Sequence, residues 1–185
     1  MRHLRPAMET DLTTFSCQSK EFDRVNVPLD ATIPFHADAF TAQEGEFAGW
    51  TTWKRDSFES LSGPFWHQVQ PDGSVRCAFR VEARHLNGMK NVHGGCYMTF
   101  ADYCLFALAS RELAGPGITV SFGCEFLDAA KEGELIECDG EMTRVGGSLI
   151  FLRGMLRSGE RKLFSFSGTI KRVKKKDRPA VAVTP

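Results

Sequence analysis

No apolar stretch in this chain is long enough to cross a bilayer. The longest, Ala101 to Ala109, covers nine residues and carries Asp102, whereas a spanning helix needs about 20. Paired cysteines are missing as well. Cys17, Cys77, Cys96, Cys104, Cys124 and Cys138 stand singly in apolar surroundings with no CxxC, a pattern of small buried hydrophobes in a reducing compartment rather than a disulfide framework or a zinc site. Neither sign of charge is in excess, with 23 Lys+Arg against 23 Asp+Glu, so nothing global attracts nucleic acid or an anionic membrane. The first residues, Met1-Arg2-His3-Leu4-Arg5-Pro6, lead to Glu9 and Asp11 and not to an apolar signal core. No Gly-x-Ser-x-Gly elbow and no phosphate-cradling glycine loop occurs. The expectation is a soluble, cytoplasmic protein without a nucleic-acid or membrane partner.

What is present suits one domain with extensions: 185 residues, 42% of them hydrophobic, enough for a real core. Residues 1–60 show no sustained period of 2 or 3.6, and read as an N-terminal extension of low order. Its aromatics Phe47, Trp50, Trp53 and Phe58 are too many for a free linker, so the part nearest the domain is expected on the domain surface. A domain is expected over 61–173, and a basic tail, Lys174-Lys175-Lys176-Asp177-Arg178, over 174–185.

Within the domain the pattern alternates between periods. Strand-like runs cover 65–70 and 75–83 around the turn Pro71-Asp72-Gly73. A helix then runs from the diglycine Gly94-Gly95 toward a stop at Ala114-Gly115-Pro116-Gly117. Four more strand-like runs follow, 118–127, 134–145, 149–157 and 162–173, separated by turn residues. The order ββαββββ, with one helix apolar nearly all round, predicts an α+β fold in which an antiparallel six-stranded sheet wraps around one long central helix.

Two features carry chemistry. Asp102 lies inside the apolar helix, where an unpaired carboxylate costs several kcal/mol or has its pKa forced upward. His93-Gly94-Gly95 opens the same helix, and glycines there let a ligand approach free N–H groups at the positive end of the dipole. Asp102 could instead pair with Arg84 or Arg111. Cys96 beside His93 suggests a nucleophile or ligand pair, yet no second pair sits at a usual spacing and nothing orients the histidine as a base.

Asn87 six residues before His93, Asp102 nine residues after it, the run Gly117-Ile118-Thr119-Val120-Ser121-Phe122, the turn Lys131-Glu132-Gly133-Glu134 and Gly168-Thr169 together resemble the hotdog-fold thioesterases of the PaaI-like, phenylacetyl-CoA thioesterase family over residues 65–173. The resemblance implies a hotdog fold and hydrolysis of an acyl-CoA to carboxylate and CoA with no cofactor. It implies that the Gly94 N–H polarises the thioester carbonyl, a role worth about 2.7–4 kcal/mol per donor, and that Asp102 acts as general base or as nucleophile. It further implies that Asn87 positions the water, that His93 orients the loop or assists the leaving thiolate, and that Gly95 and Thr119 contact substrate or water. Finally it implies a homodimer or homotetramer with Asp102 from one subunit and the Asn87–Gly94 loop from the other. Asp128-Ala129-Ala130 replaces the proline that many relatives carry before the Gly-Glu turn. Arg153, Arg157, Lys171, Arg172 and Lys174 are candidates for the phosphates of CoA. The competing expectation is a non-catalytic acyl-CoA-binding module on the same fold.

Overall fold

The computed structural model describes residues 39–54, 57–113 and 115–173. The first 38 residues and the basic tail from Lys174 onward lie outside these. The elements are β1 (Ala39–Thr41), β2 (Thr51–Trp53), a short helix α1 (Phe58–Ser62), β3 (Trp66–Val69), β4 (Val75–Arg80), a 3₁₀ turn (Ala83–His85), the long helix α2 (Gly94–Leu108), β5 (Gly117–Phe126), β6 (Leu135–Val145), β7 (Leu149–Ser158) and β8 (Arg161–Arg172).

All strands join one sheet in the order β1-β2-β3-β4-β6-β7-β8-β5, antiparallel at every pairing. The expected six-stranded sheet therefore has eight strands. The six anticipated are all there, and residues 39–53 add β1 and β2 beside β3. Strands of three residues show no alternation to read, which is why the pattern of the sequence missed them. Aromatic packing holds this addition in place. The Phe47 ring stacks on Trp66 at 5.4 Å, the Arg76 guanidinium lies over Trp50 at 5.5 Å, and Trp53 reaches Tyr103 of α2 at 4.6 Å. Phe47 and Trp50 are half-buried against the sheet, whereas Trp53, expected on the surface, is buried in the core.

The core is the layer between α2 and the sheet. Phe100, Ala101, Tyr103, Cys104, Leu105 and Ala107 of α2 meet Phe79, Ile136, Ile150, Leu152, Leu156, Phe164 and Ile170. Alternation puts Ile150, Leu152 and Leu156 of β7 inward while Arg153 stays exposed outside. Close approach depends on Gly168, where a Cβ would collide with the Leu105 side chain. The five described cysteines are free thiols. The helix ends at Leu108, earlier than the Gly115 stop signal: Glu112 and Leu113 fold back on the Ala109 carbonyl at 2.9 and 3.0 Å, with Leu113 buried beneath the turn. Among the described residues no helix is long and apolar enough to cross a membrane.

β5 follows α2 in sequence but lies at the far edge of the sheet, beyond the last strand β8. The helix thus carries the chain from β4 past β6, β7 and β8 to that edge. Its two ends point to different parts of one open edge strand.

Candidate active site

Helix α2 is covered on most of its circumference, and after its first turn its exposure follows one stripe. Beyond its first three residues, where Gly94 and Cys96 are half-buried and Gly95 exposed, its exposed or half-buried positions are Met98, Thr99, Asp102 and Phe106, which with Gly95 fall on one face at i, i+3, i+4, i+7 and i+11. The stripe escaped notice in the sequence because Met98 and Phe106 are as apolar as the core positions around them. Asp102 sits at its middle. Its Oδ1 accepts from the Thr119 hydroxyl of β5 at 2.7 Å. Burial pushes the Asp102 pKa above its ordinary value, and the Thr119 hydrogen bond pulls part of the way back. Neither suggested cationic partner reaches it: Arg84 pairs with Glu82, and Arg111 lies beside Gly73. A half-buried carboxylate without a cation and with a raised proton affinity is suited to taking a proton.

The helix entrance is the second group. His93 caps α2 through Nδ1, which accepts from the Gly95 N–H at 2.9 Å. The Cys96 N–H donates to the His93 carbonyl. That leaves the Gly94 N–H as the first-turn donor with no acceptor among the described residues, aimed out of the positive end of the helix. The Gly95 amide, by contrast, is occupied by the cap. A side chain at 94 would run into the Phe126 ring, whose Cε1 lies 2.9 Å from where a Cβ would stand. Phe126 itself is 56% exposed and packs edge-on against Phe164 at 4.9 Å. Nothing in the sequence links Phe126 to Gly94, 32 positions away.

Asn87 shapes the loop before the helix. Its Oδ1 accepts from the Met89 N–H at 2.8 Å and the Asn91 N–H at 3.3 Å, and its own N–H donates to the Asn91 carbonyl at 2.8 Å. These bonds hold Lys90 at φ +61°, left-handed backbone that a lysine adopts only under constraint. The Asn87 side-chain amide finds no acceptor among the described residues and remains available. The loop is pinned further back, since the His93 N–H donates to the His85 carbonyl and the Val92 N–H to that of Ala130. Ala130 in turn donates to the Tyr97 hydroxyl at 2.9 Å, which explains how Asp128-Ala129-Ala130 closes this side without a proline.

The structure therefore joins Asp102 to Thr119 and gathers Asn87, His93, Gly94 and Gly95 at the helix entrance. It does not bring the two groups together within one chain. Eight residues of helix separate Gly94 from Asp102, about 12 Å along the axis. Burial pushes the Cys96 thiol up to about 12, away from the thiolate that a nucleophile needs. Of the suggested phosphate ligands, Arg153 pairs with Glu141, Arg157 with Asp139, and Arg172 is spent on the carbonyls of Glu112, Gly146 and Gly147.

Comparison with known proteins agrees with this architecture. The sequence model of the Thioesterase superfamily matches residues 89–165, from the helix entrance to β8. A Pseudomonas aeruginosa protein provisionally named an esterase is 34% identical over 110 residues, 58% of this chain and 82% of that one. Human acyl-coenzyme A thioesterase 13 is 30% identical over 99 residues, 53% of this chain and 71% of that one. Among solved structures, a variant of the phenylacetic acid degradation protein PaaI from Thermus thermophilus superposes with a TM-score of 0.55 at 26% identity, covering 64% of this chain and all of that one. The fold is that of the hotdog thioesterases. The chain belongs to the thioesterase superfamily, and it is a thioesterase-type hydrolase.

Proposed function

We propose that this chain hydrolyses acyl-CoA thioesters, with the active site assembled from two copies. The carrying observation is the Asp102–Thr119 hydrogen bond on the one open stripe of an otherwise buried helix. The acyl-CoA class is supported by the name of the human relative. In this reading the thioester carbonyl accepts from the Gly94 N–H, and charge developing on its oxygen is stabilised by that donor and the helix dipole. Asp102 removes a proton from water as the water oxygen attacks the carbonyl carbon. The C–S bond then breaks, and CoA leaves as a thiolate that takes up a proton. Direct attack by Asp102, giving a mixed anhydride that water then opens, uses the same groups. Asn87 holds the water through its free amide, and His93 keeps the entrance loop in place.

The 12 Å between Gly94 and Asp102 is what calls for a second copy. Strand β5 pairs on one side with β8 and on the other leaves a ten-residue edge, with Ile118, Val120 and Phe126 each about half exposed. Such an edge is a template for pairing. Two antiparallel β5 strands related by a two-fold at Gly123, with the bulge between Thr119 and Ser121, would bring the Thr119–Val120 end of one copy opposite Phe126 of the other. Asp102 of one copy would then lie beside Gly94 of the other.

Release of free thiol from short, medium, long and phenylacetyl acyl-CoA tests this, with Asp102→Asn beside the wild type. Turnover should fall by roughly 10²–10⁴-fold in the variant. An unaffected variant would overturn the role of Asp102. Saturable binding without turnover by the wild type would show a non-catalytic acyl-CoA-binding module instead.

A further inference from the structure

The loop at the helix entrance is a narrow hairpin with a buried histidine at its base. Leu86 bridges Val92, the Asn87 N–H donates to the Asn91 carbonyl, and the His93 N–H donates to the His85 carbonyl at 2.8 Å. Asn87 and the Gly94 amide thus take their places from a ladder whose lowest rung is His85. That residue is 4% exposed and packs edge-on against Phe79 of β4 at 5.3 Å. It closes the 3₁₀ turn twice: its N–H donates to the Glu82 carbonyl, and its Nδ1 accepts from the Glu82 N–H, each at 2.9 Å.

The second of these bonds admits one form of the ring. A backbone N–H only donates, so Nδ1 stays bare and the imidazole proton sits on Nε2, which is buried with no hydrogen-bond partner among the described residues. A further proton has one place to go, Nδ1, where it would face the Glu82 N–H donor to donor. The turn must open to receive it. The surroundings agree: burial holds the His85 pKa below its ordinary value and Arg84 lowers it further, while Glu82 and, from the end of α1, the Gly63 and Ser62 carbonyls pull back. Phe79, from β4, brings no charge.

We propose that His85 is a positioning residue whose bare Nδ1 holds the entrance loop in its working form, and that a proton on this ring withdraws Asn87 and the Gly94 amide from the reaction while the fold persists. This rests on the reading of the chain as a thioesterase that uses those two groups. An opened turn returns the ring to water and to its ordinary pKa of about 6.5, so the open form gains on the closed one as pH falls below that value and loses to it as pH rises. The effect is separate from protonation of Asp102 and adds a second proton to the acid side of the activity profile.

The test compares the wild type, His85→Asn and His85→Leu by kcat and KM for one acyl-CoA across pH, on protein shown to be folded by far-UV circular dichroism at each pH. Asparagine places Oδ1 where Nδ1 stood and accepts from the Glu82 N–H without titrating. It should keep most of the turnover at neutral pH, and at the acid end its log kcat/KM should fall one unit less per pH unit than that of the wild type. Leucine fills the space without an acceptor and should lower kcat at neutral pH by roughly 10²-fold, the cost of about an ångström of misplacement, while KM moves less. Equal acid slopes in the wild type and His85→Asn, or wild-type kcat in His85→Leu, would overturn the positioning role and leave the thioesterase reading intact. Imidazole nitrogen NMR of the wild type decides the tautomer even if neither variant folds: a protonated Nδ1 at neutral pH would also overturn the role. Absence of turnover with any acyl-CoA in the wild type would instead fail the underlying reading, and the inference with it.

Discussion

At one edge of the sheet β1 is three residues long and rests on a sheath of aromatic contacts, Phe40 and Phe47 on Trp66, Trp50 under Arg76, and Trp53 on Tyr103. At the other, β5 runs ten residues with one neighbour among the described residues and half-exposed Ile118 and Val120. Both edges come from the same chain, yet only one has been shortened and clad, which is how proteins keep sheet edges from pairing. The untreated edge is also the one that carries Thr119 and Phe126, the residues that touch Asp102 and Gly94. The chain finishes the side it does not use and leaves open the side where chemistry is proposed.

The strongest way to break this contrast is to strip the clad edge. Trp53→Ala removes a 7% exposed ring lodged against Tyr103 and His67. It should lower unfolding free energy by about 3–5 kcal/mol in a denaturant titration, while the folded fraction keeps its turnover per molecule. A loss of turnover larger than the loss of folded protein would mean that this edge also serves the site.

Charging the open edge should have a smaller effect on stability and a larger one on function. If two β5 edges pair as proposed, Ile118→Lys with Val120→Lys should yield a monomer by light scattering where the wild type is an oligomer, and cut kcat/KM more than tenfold with little change in melting temperature. Phe40→Ser on β1 is the matched control and should leave both oligomer and activity in place. Full activity from a monomeric β5 variant would remove the case for a two-copy site.

The smallest expected effects concern proton binding at Asp102. Burial raises its pKa, so the acid limb of kcat/KM should lie above the ordinary aspartate range near 4. Thr119→Val removes the hydrogen bond that lowers it and should move that limb further up. The same shift links to stability. A carboxyl with a raised folded pKa is tolerated while protonated, below its unfolded value, and weakens the fold as pH rises through the folded value. Asp102→Asn should therefore melt higher than wild type at neutral pH, and the difference should vanish toward pH 3 in a thermal scan. An equal melting temperature at both pH values would show that Asp102 is not desolvated.

Much of the fold was legible because its long elements announce themselves. The diglycine after His93 marks the start of α2, and alternation over 10 to 12 residues marks β5 to β8 to within about two positions. β1 and β2 were not, since three residues cannot display a period. The site divides in the same way. Asp102 stood out as a charge in an apolar run, and Thr119 was expected near the water and proves to hold the carboxylate itself. Phe126 could not be anticipated, because its importance comes from a contact across 32 residues that only the curl of the sheet creates. His93 and Asn87 were expected beside the chemistry. In the structure their side chains also cap the helix and brace the loop, work that local spacing alone does not reveal.

Gly168 gives the molecule its calibration. The notch it leaves in β8 receives Leu105, three residues beyond Asp102 on the same helix, and β8 hands its own position to β5 through the pairing of Gly168 with Phe122. The rod that carries the carboxylate and the rail that carries Thr119 are thus indexed to one point. A bulge of a single methyl there would displace the rod by about the tolerance of a hydrogen bond. The missing side chain works as a datum from which the distance between acid and hydroxyl is set.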